Sequence, residues 1–171
     1  MDTAIHDDFA RSFRAKLYLR AESRTLPLRL SRSFDGFSWG LTPEDDWLQA
    51  GGDAQDSFIM DFHFLGSTED RLHYDITIPG PPKTVPGPPT PKKLGISLNG
   101  YLGFYWHSEV TDLWKIDPVR ITNDGLICYL RDHQGHRVGV TWESRSALKN
   151  PVGVMNVLDG EVCSFLLVQS T

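Results

Sequence analysis

Residues 96–104 read Ile96-Ser97-Leu98-Asn99-Gly100-Tyr101-Leu102-Gly103-Phe104, and residues 128–140 read Cys128-Tyr129-Leu130-Arg131-Asp132-His133-Gln134-Gly135-His136-Arg137-Val138-Gly139-Val140. In both, an apolar run ends in a polar turn that holds a glycine. An aromatic or basic residue, an aliphatic, a second glycine and another apolar residue then follow. A tight hairpin explains this order, because its tip requires positive φ, which glycine reaches at little cost. Each copy continues through a polar stretch to a strand led by an apolar or aromatic residue. After the first copy this is Asp112-Leu113-Trp114-Lys115-Ile116, and after the second it is Glu161-Val162-Cys163-Ser164-Phe165-Leu166-Leu167.

Outward from these copies the same grammar recurs. Short apolar or alternating runs are predicted as strands at 15–20, 26–30, 57–65, 72–78, 94–98, 101–106, 112–119, 125–130, 137–142, 152–158 and 162–168, each bounded by Gly, Asp, Asn or Pro. In the run at 72–78, Leu72, Tyr74, Ile76 and Ile78 alternate with His73, Asp75 and Thr77, which predicts one buried face and one wet face. Helical spacing is confined to the N-terminus, where Ile5, Phe9 and Phe13 fall four apart, so residues 1–14 are expected to form an arm or a short helix. About a dozen short strands in a chain of 171 residues imply an all-β, single compact domain over residues 15–171, closed as a barrel, a sandwich or a trefoil.

The paired copies resemble the repeats of the β-trefoil superfamily, in particular its fascin-like and lectin-like members, most clearly over residues 94–168. An earlier copy can be traced from Leu17-Tyr18-Leu19-Arg20 to Ser57-Phe58-Ile59-Met60, without the turn glycine and with an acidic insertion. The resemblance implies a β-trefoil-like domain, with a β-sandwich or β-barrel as alternative architectures. It also implies recognition of carbohydrate or protein. The Gln-x-Trp signature of ricin-type lectins is absent, so no sugar-binding residues carry over from that group.

One segment departs from the strand pattern. Residues 79–91, PGPPKTVPGPPTP, hold seven of the chain's eleven prolines. Proline donates no backbone hydrogen bond, so this is expected to be a stiff, polyproline-like loop between two strands. Its Pro82/Pro86 and Pro88/Pro91 spacings approximate those of groove-binding peptides.

Seventeen basic and 22 acidic residues give a net charge of −5, which argues against a nucleic-acid binder, since that affinity rests on neutralising phosphates. The charge is unevenly distributed. Residues 11–32 are strongly basic, whereas residues 33–70 carry nine acidic side chains and no Lys or Arg. Two solvated faces that attract one another explain this, and an acidic stretch that docks a partner is the alternative. No apolar run reaches the ~18 residues of a membrane span. The start, MDTAIHDDFARSFRAK, has no apolar core of a secretory signal, so a cytoplasmic location is expected, with leaderless secretion as the alternative. Cys128 and Cys163 lie in apolar segments and are expected to be reduced core thiols rather than a bridge.

No Gly-x-Ser-x-Gly elbow and no phosphate-binding glycine loop is present, so no catalytic residues, cofactor or nucleotide are expected. Asp132-His133-x-x-His136 places potential ligands on one hairpin tip, but the remaining histidines lie in separate segments and no metal site is expected. Aromatic and polar side chains remain. Trp39, Trp47, Trp106 and Trp142 sit in polar contexts, whereas Trp114 lies in a core-like strand. The expected ligand-binding set is Asn99, Tyr105, Trp106, His107, Asp132, His133, Arg137 and Trp142, combining flat rings with hydrogen-bonding groups. The function expected from this set is non-enzymatic recognition of carbohydrate or protein. An effector- or toxin-like interaction protein acting through 33–70 or the Pro-rich loop is the first alternative. A small hydrolase or small-ligand barrel is the second.

Overall fold

The computed structural model describes residues 2–31, 46–79, 90–106 and 110–170. Among these residues one helix, α1 (Thr3–Phe9), precedes thirteen strands: β1 (Phe13–Ala21), β2 (Arg24–Leu30), β3 (Leu48–Gly51), β4 (Met60–Ser67), β5 (Leu72–Ile78), β6 (Lys92–Ile96), β7 (Leu102–Trp106), β8 (Trp114–Thr122), β9 (Gly125–Arg131), β10 (Gly139–Glu143), β11 (Val152–Asn156), β12 (Glu161–Val162) and β13 (Ser164–Gln169). All strand pairs are antiparallel, and the all-β expectation is met. No helix among the described residues is long and apolar enough to cross a membrane.

Six strands close on themselves. β1 pairs with β13, β13 with β9, β9 with β8, β8 with β5, β5 with β4, and β4 with β1. Six of the remaining seven strands form the pairs β2–β3, β6–β7 and β10–β11, and β12 pairs with β10. These three pairs also touch one another: β11 pairs with β3, Trp47 bridges to Gly103, and Tyr101 bridges to Asn156. Alternation along the ring strands supplies the core, as a period of two requires. Leu17 and Leu19 of β1, Phe62 of β4, Leu72, Tyr74 and Ile76 of β5, Trp114 and Ile116 of β8, Cys128 and Leu130 of β9, and Phe165 and Leu167 of β13 are all buried.

The helix docks on this core. The Asp2 side chain accepts a hydrogen bond from the Ala4 backbone and caps α1, whose Ile5 and Phe9 are buried. The Tyr74 hydroxyl donates to the Phe9 carbonyl at the helix end. Phe13 does not extend the helical face. It opens β1 and stacks on Phe62, with centroids 5.0 Å apart, because pairing with β4 takes precedence over local spacing. The strand at 48–51, β3, has no alternation in sequence, since all four of its residues are buried. On β5 the second face is not wet throughout. Thr77 is buried opposite Lys93, and its hydroxyl meets His63 Nε2 at 2.8 Å. Lys93 is itself buried, with its ammonium 2.7 Å from Asp75, so a polar cluster satisfies groups that alternation assigned to solvent.

The two sequence copies are out of phase in the fold. Residues 96–104 turn between β6 and β7, whereas 128–140 turn between β9 and β10. Leu98 is fully exposed on its turn, while Leu130 is buried in a ring strand. Similar hairpin chemistry at two different corners explains the misleading match. Most of the Pro-rich loop, at 80–89, lies outside the described residues.

Candidate functional site

A cleft of about 610 Å³ opens where the β1–β2 turn meets β10, β12 and the start of β13. Register builds its floor. Arg20 stands opposite Ser164, and the Arg20 Nη1 donates to Ser164 Oγ at 3.2 Å. One step beyond the Phe165–Cys128 pair, Ser164 leads across to Tyr129 of β9. The turn after β1 adds Glu22, Ser23 and Arg24, and β12 adds Glu161 and Val162.

Trp142 forms the aromatic wall, with 40% of its surface exposed. It stands directly across from Gly153 in the β10–β11 pair. A Cβ at Gly153 would lie 3.1 Å from the indole Cζ3, and one at Gly51 would lie 3.3 Å from the same atom. Bare backbone on neighbouring strands therefore leaves the shelf on which the ring rests, the pairing by which an aromatic covers a strand glycine. Tyr129 carries the Arg137 guanidinium over its ring, 4.2 Å from the centroid.

Cys163 also borders the cleft but offers no nucleophile. Burial pushes its thiol up to about 12, and its Sγ–H faces the Val138 carbonyl at 3.6 Å. Cys128 is likewise pushed up to about 12, chiefly by burial. Both cysteines are free and buried. A thiol reagent at pH 8 is expected to leave both unmodified until denaturant is added, and rapid labelling of folded protein would refute this. Because the folded values lie above the ordinary 9.0, the two thiols stabilise fully below pH ~9, and their contribution declines as pH rises from there towards 12.

The expected ligand-binding set does not assemble in one place. Trp142 lines the cleft, and Arg137 reaches it through Tyr129. Asn99 and Tyr105 line a separate cleft of about 500 Å³ at the β6–β7 turn, with Trp47, Val110 and Asp112. Trp47 stacks there on Tyr101, with centroids 5.2 Å apart. Trp106, next along the strand from Tyr105, lies 5.1 Å from the Lys92 ammonium. Asp132 is buried and is occupied locally: it accepts from the His136 backbone at 2.7 Å and faces His136 Nδ1 at 2.9 Å. His133 Nδ1 lies 3.2 Å from Asp112. His107 and Trp39 fall outside the described residues. Strand alternation and the different corners occupied by the two turns separate these side chains.

Several acidic residues of the 33–70 stretch have internal partners. Asp46 pairs with Lys92, and Asp61 pairs with Arg14 at 3.3 Å, which joins the acidic stretch to the basic one. Asp53 accepts from the backbones of Lys149 and Asn150, both at 3.1 Å, and the Lys149 bond is the main cause that holds its carboxyl below the usual range. Residues 33–45, with Glu44 and Asp45, lie outside the described residues.

Sequence reasoning missed Arg20, Glu22, Arg24, Tyr129, Glu161 and Ser164. Only Trp142 carried a local signal, an aromatic in a polar context. Comparison of the chain with protein-family models, with curated proteins and with solved structures returns no match.

Proposed function

We propose that the chain is a β-trefoil-like, non-enzymatic recognition domain that binds carbohydrate in the Trp142 cleft. The trefoil reading is supported by the closed ring of β1, β4, β5, β8, β9 and β13 and by the three mutually touching pairs β2–β3, β6–β7 and β10–β11. The three sections β1–β4, β5–β8 and β9–β13 each contribute two strands to the ring and one pair outside it, and the third adds β12 on the far edge of β10.

The observation that carries the carbohydrate reading is the half-exposed Trp142 ring beside guanidinium, carboxylate and hydroxyl groups. A sugar ring presents an apolar C–H face and a rim of hydroxyls that both donate and accept. A flat aromatic surface takes the first, and mixed donors and acceptors take the second. The indole rests on backbone, so stacking costs little side-chain entropy.

A glycan array tests this reading. The folded chain is expected to bind a subset of glycans, and Trp142→Ala is expected to weaken that binding about tenfold or more. Trp106→Ala, remote from the cleft, is expected to leave binding unchanged. Silence of folded protein across a broad array would overturn the reading.

A further inference from the structure

Four Asp-Gly or Asn-Gly pairs occur in the chain: Asp35-Gly36, Asn99-Gly100, Asp124-Gly125 and Asp159-Gly160. The first lies outside the described residues. In such a pair the glycine nitrogen can close on the carbonyl carbon of the preceding side chain, because no Cβ shields it. The fold decides whether the two groups meet. At Asn99-Gly100 the nitrogen is held away, donating to the Ser97 carbonyl at 2.9 Å. At Asp124-Gly125 the glycine pairs with Thr122 at the end of the β8–β9 ladder, and its nitrogen makes no bond to the Asp124 carboxylate. At Asp159-Gly160, alone among the described residues, the side chain folds back on the next peptide, and the Gly160 N–H donates to Asp159 Oδ1 at 2.7 Å.

The turn between β11 and β12 enforces this arrangement. Asn156 Oδ1 accepts from the Leu158 backbone at 2.7 Å and from the Asp159 backbone at 3.1 Å, which fixes the chain just before the pair. Gly160 has φ +94°, and a Cβ there would lie 2.8 Å from both the carbonyl carbon and the carbonyl oxygen of Val140, so the position requires glycine. Both residues of the pair are exposed, so water reaches them. Asp159 Cγ is one bond from the Oδ1 that the nitrogen touches. That places it near the ~3–3.5 Å from which an intramolecular attack proceeds.

We infer that Asp159-Gly160 is a self-modification site at which Asp159 converts to isoaspartate and thereby limits the lifetime of the neighbouring cleft. When the Asp159 carboxyl is protonated, the Gly160 nitrogen attacks Cγ. The N–Cγ bond forms, the nitrogen gives up its proton, and the carboxyl hydroxyl leaves as water, closing a succinimide ring. A water molecule then opens the ring. Attack at Cγ restores aspartate, whereas attack at the main-chain carbonyl carbon leaves the chain running through Cβ and Cγ. One water is lost and one is gained, and no other reactant is needed. Isoaspartate adds one carbon to the main chain ahead of Gly160, which then cannot keep its close approach to Val140. The next two residues form β12, where Glu161 pairs with Val140 and Val162 with Gly139, and both border the Trp142 cleft. Conversion therefore detaches one edge of that cleft, whatever the cleft binds.

The test incubates the full chain in mildly acidic buffer, folded and in parallel in urea. Isoaspartate is labelled with an isoaspartyl methyltransferase and located by peptide mapping. Asp124-Gly125 is the internal control, with the same reacting pair and no contact between its groups. In the folded chain, isoaspartate is expected to form at Asp159 about tenfold faster than at Asp124, a barrier difference of about 1.4 kcal/mol. In urea the two rates are expected to converge, since only local sequence then acts. Asp159→Glu, which would have to close a larger ring, is expected to lose the label at this position and keep it at Asp124. In the aged fraction, hydrogen exchange is expected to quicken at Val140 and Val162 and to stay unchanged along β8 and β9. Equal rates at Asp159 and Asp124 in the folded chain overturn the inference, as does an excess at Asp159 that persists in urea. Full protection of β12 in chains that carry isoaspartate at 159 overturns the effect on the cleft.

Discussion

Trp114→Ala is expected to destabilise the fold by about 4 kcal/mol, within the range of ~3–5 kcal/mol measured for truncating large buried aromatics. Trp114 opens β8, is fully buried, and heads the largest side chains of the core. Its indole N–H donates to the Leu94 carbonyl at 2.9 Å, linking the ring strand β8 to β6 outside the ring. Truncation therefore leaves a cavity and also strips a buried carbonyl of its donor, a further ~1–3 kcal/mol where water cannot enter. Against a total stability of about 5–15 kcal/mol for an ordinary domain, the variant retains little margin. Trp114→Phe separates the two effects. It restores most of the apolar volume but not the donor, so its loss is expected to be well below that of alanine. Urea unfolding of the three proteins measures this. A loss below about 1 kcal/mol for the alanine variant would show that the indole does not hold the core together.

Gly125→Ala is expected to cost about 3 kcal/mol or more, for a different reason. Gly125 starts β9 at the β8–β9 hairpin with φ +146°, and a Cβ there would stand 2.2 Å from the Leu167 carbonyl oxygen. That oxygen belongs to the backbone of β13, so relief requires β9 and β13 to separate where Leu126 pairs with Leu167. Backbone strain of ~1–3 kcal/mol and overpacking of similar size add here. Gly135→Ala is the control. Its φ is +98°, but nothing lies within 4 Å of the added carbon, so only the backbone strain remains. Equal losses in the two variants, measured by thermal or urea unfolding, would remove the clash from the explanation.

Most ring strands were legible because each buries one face and carries that period in its own residues. The run Leu72–Ile78 matches β5 residue for residue, and Trp114 was placed in the core by its apolar neighbours. β3 was not legible, since Leu48, Gln49, Ala50 and Gly51 are buried on both faces and show no alternation. Phe13 was misread because helical spacing from Phe9 is local, whereas its stacking on Phe62 spans the ring. The match between 96–104 and 128–140 was real as chemistry but wrong in phase. Any hairpin corner selects a glycine and flanking apolar residues, whichever pair of strands it joins.

The cleft was the least legible feature. Arg20 and Ser164 are 144 residues apart in the chain, and only the β1–β13 register brings them together. Trp142 could be noticed as an aromatic among polar residues, but its support by Gly51 and Gly153 depends on β10, β11 and β3 lying side by side. Composition and periodicity by themselves determined an all-β chain, the approximate strands, the buried Trp114 and the two apolar cysteine segments. These follow from burial and turn geometry, which act over a few residues. The closure of the ring, the phase of the similar hairpins and the grouping of Arg20, Arg24, Tyr129 and Trp142 were decided only by tertiary structure. Which strand pairs with which depends on contacts between distant segments, and a strand's own period of two is compatible with many partners.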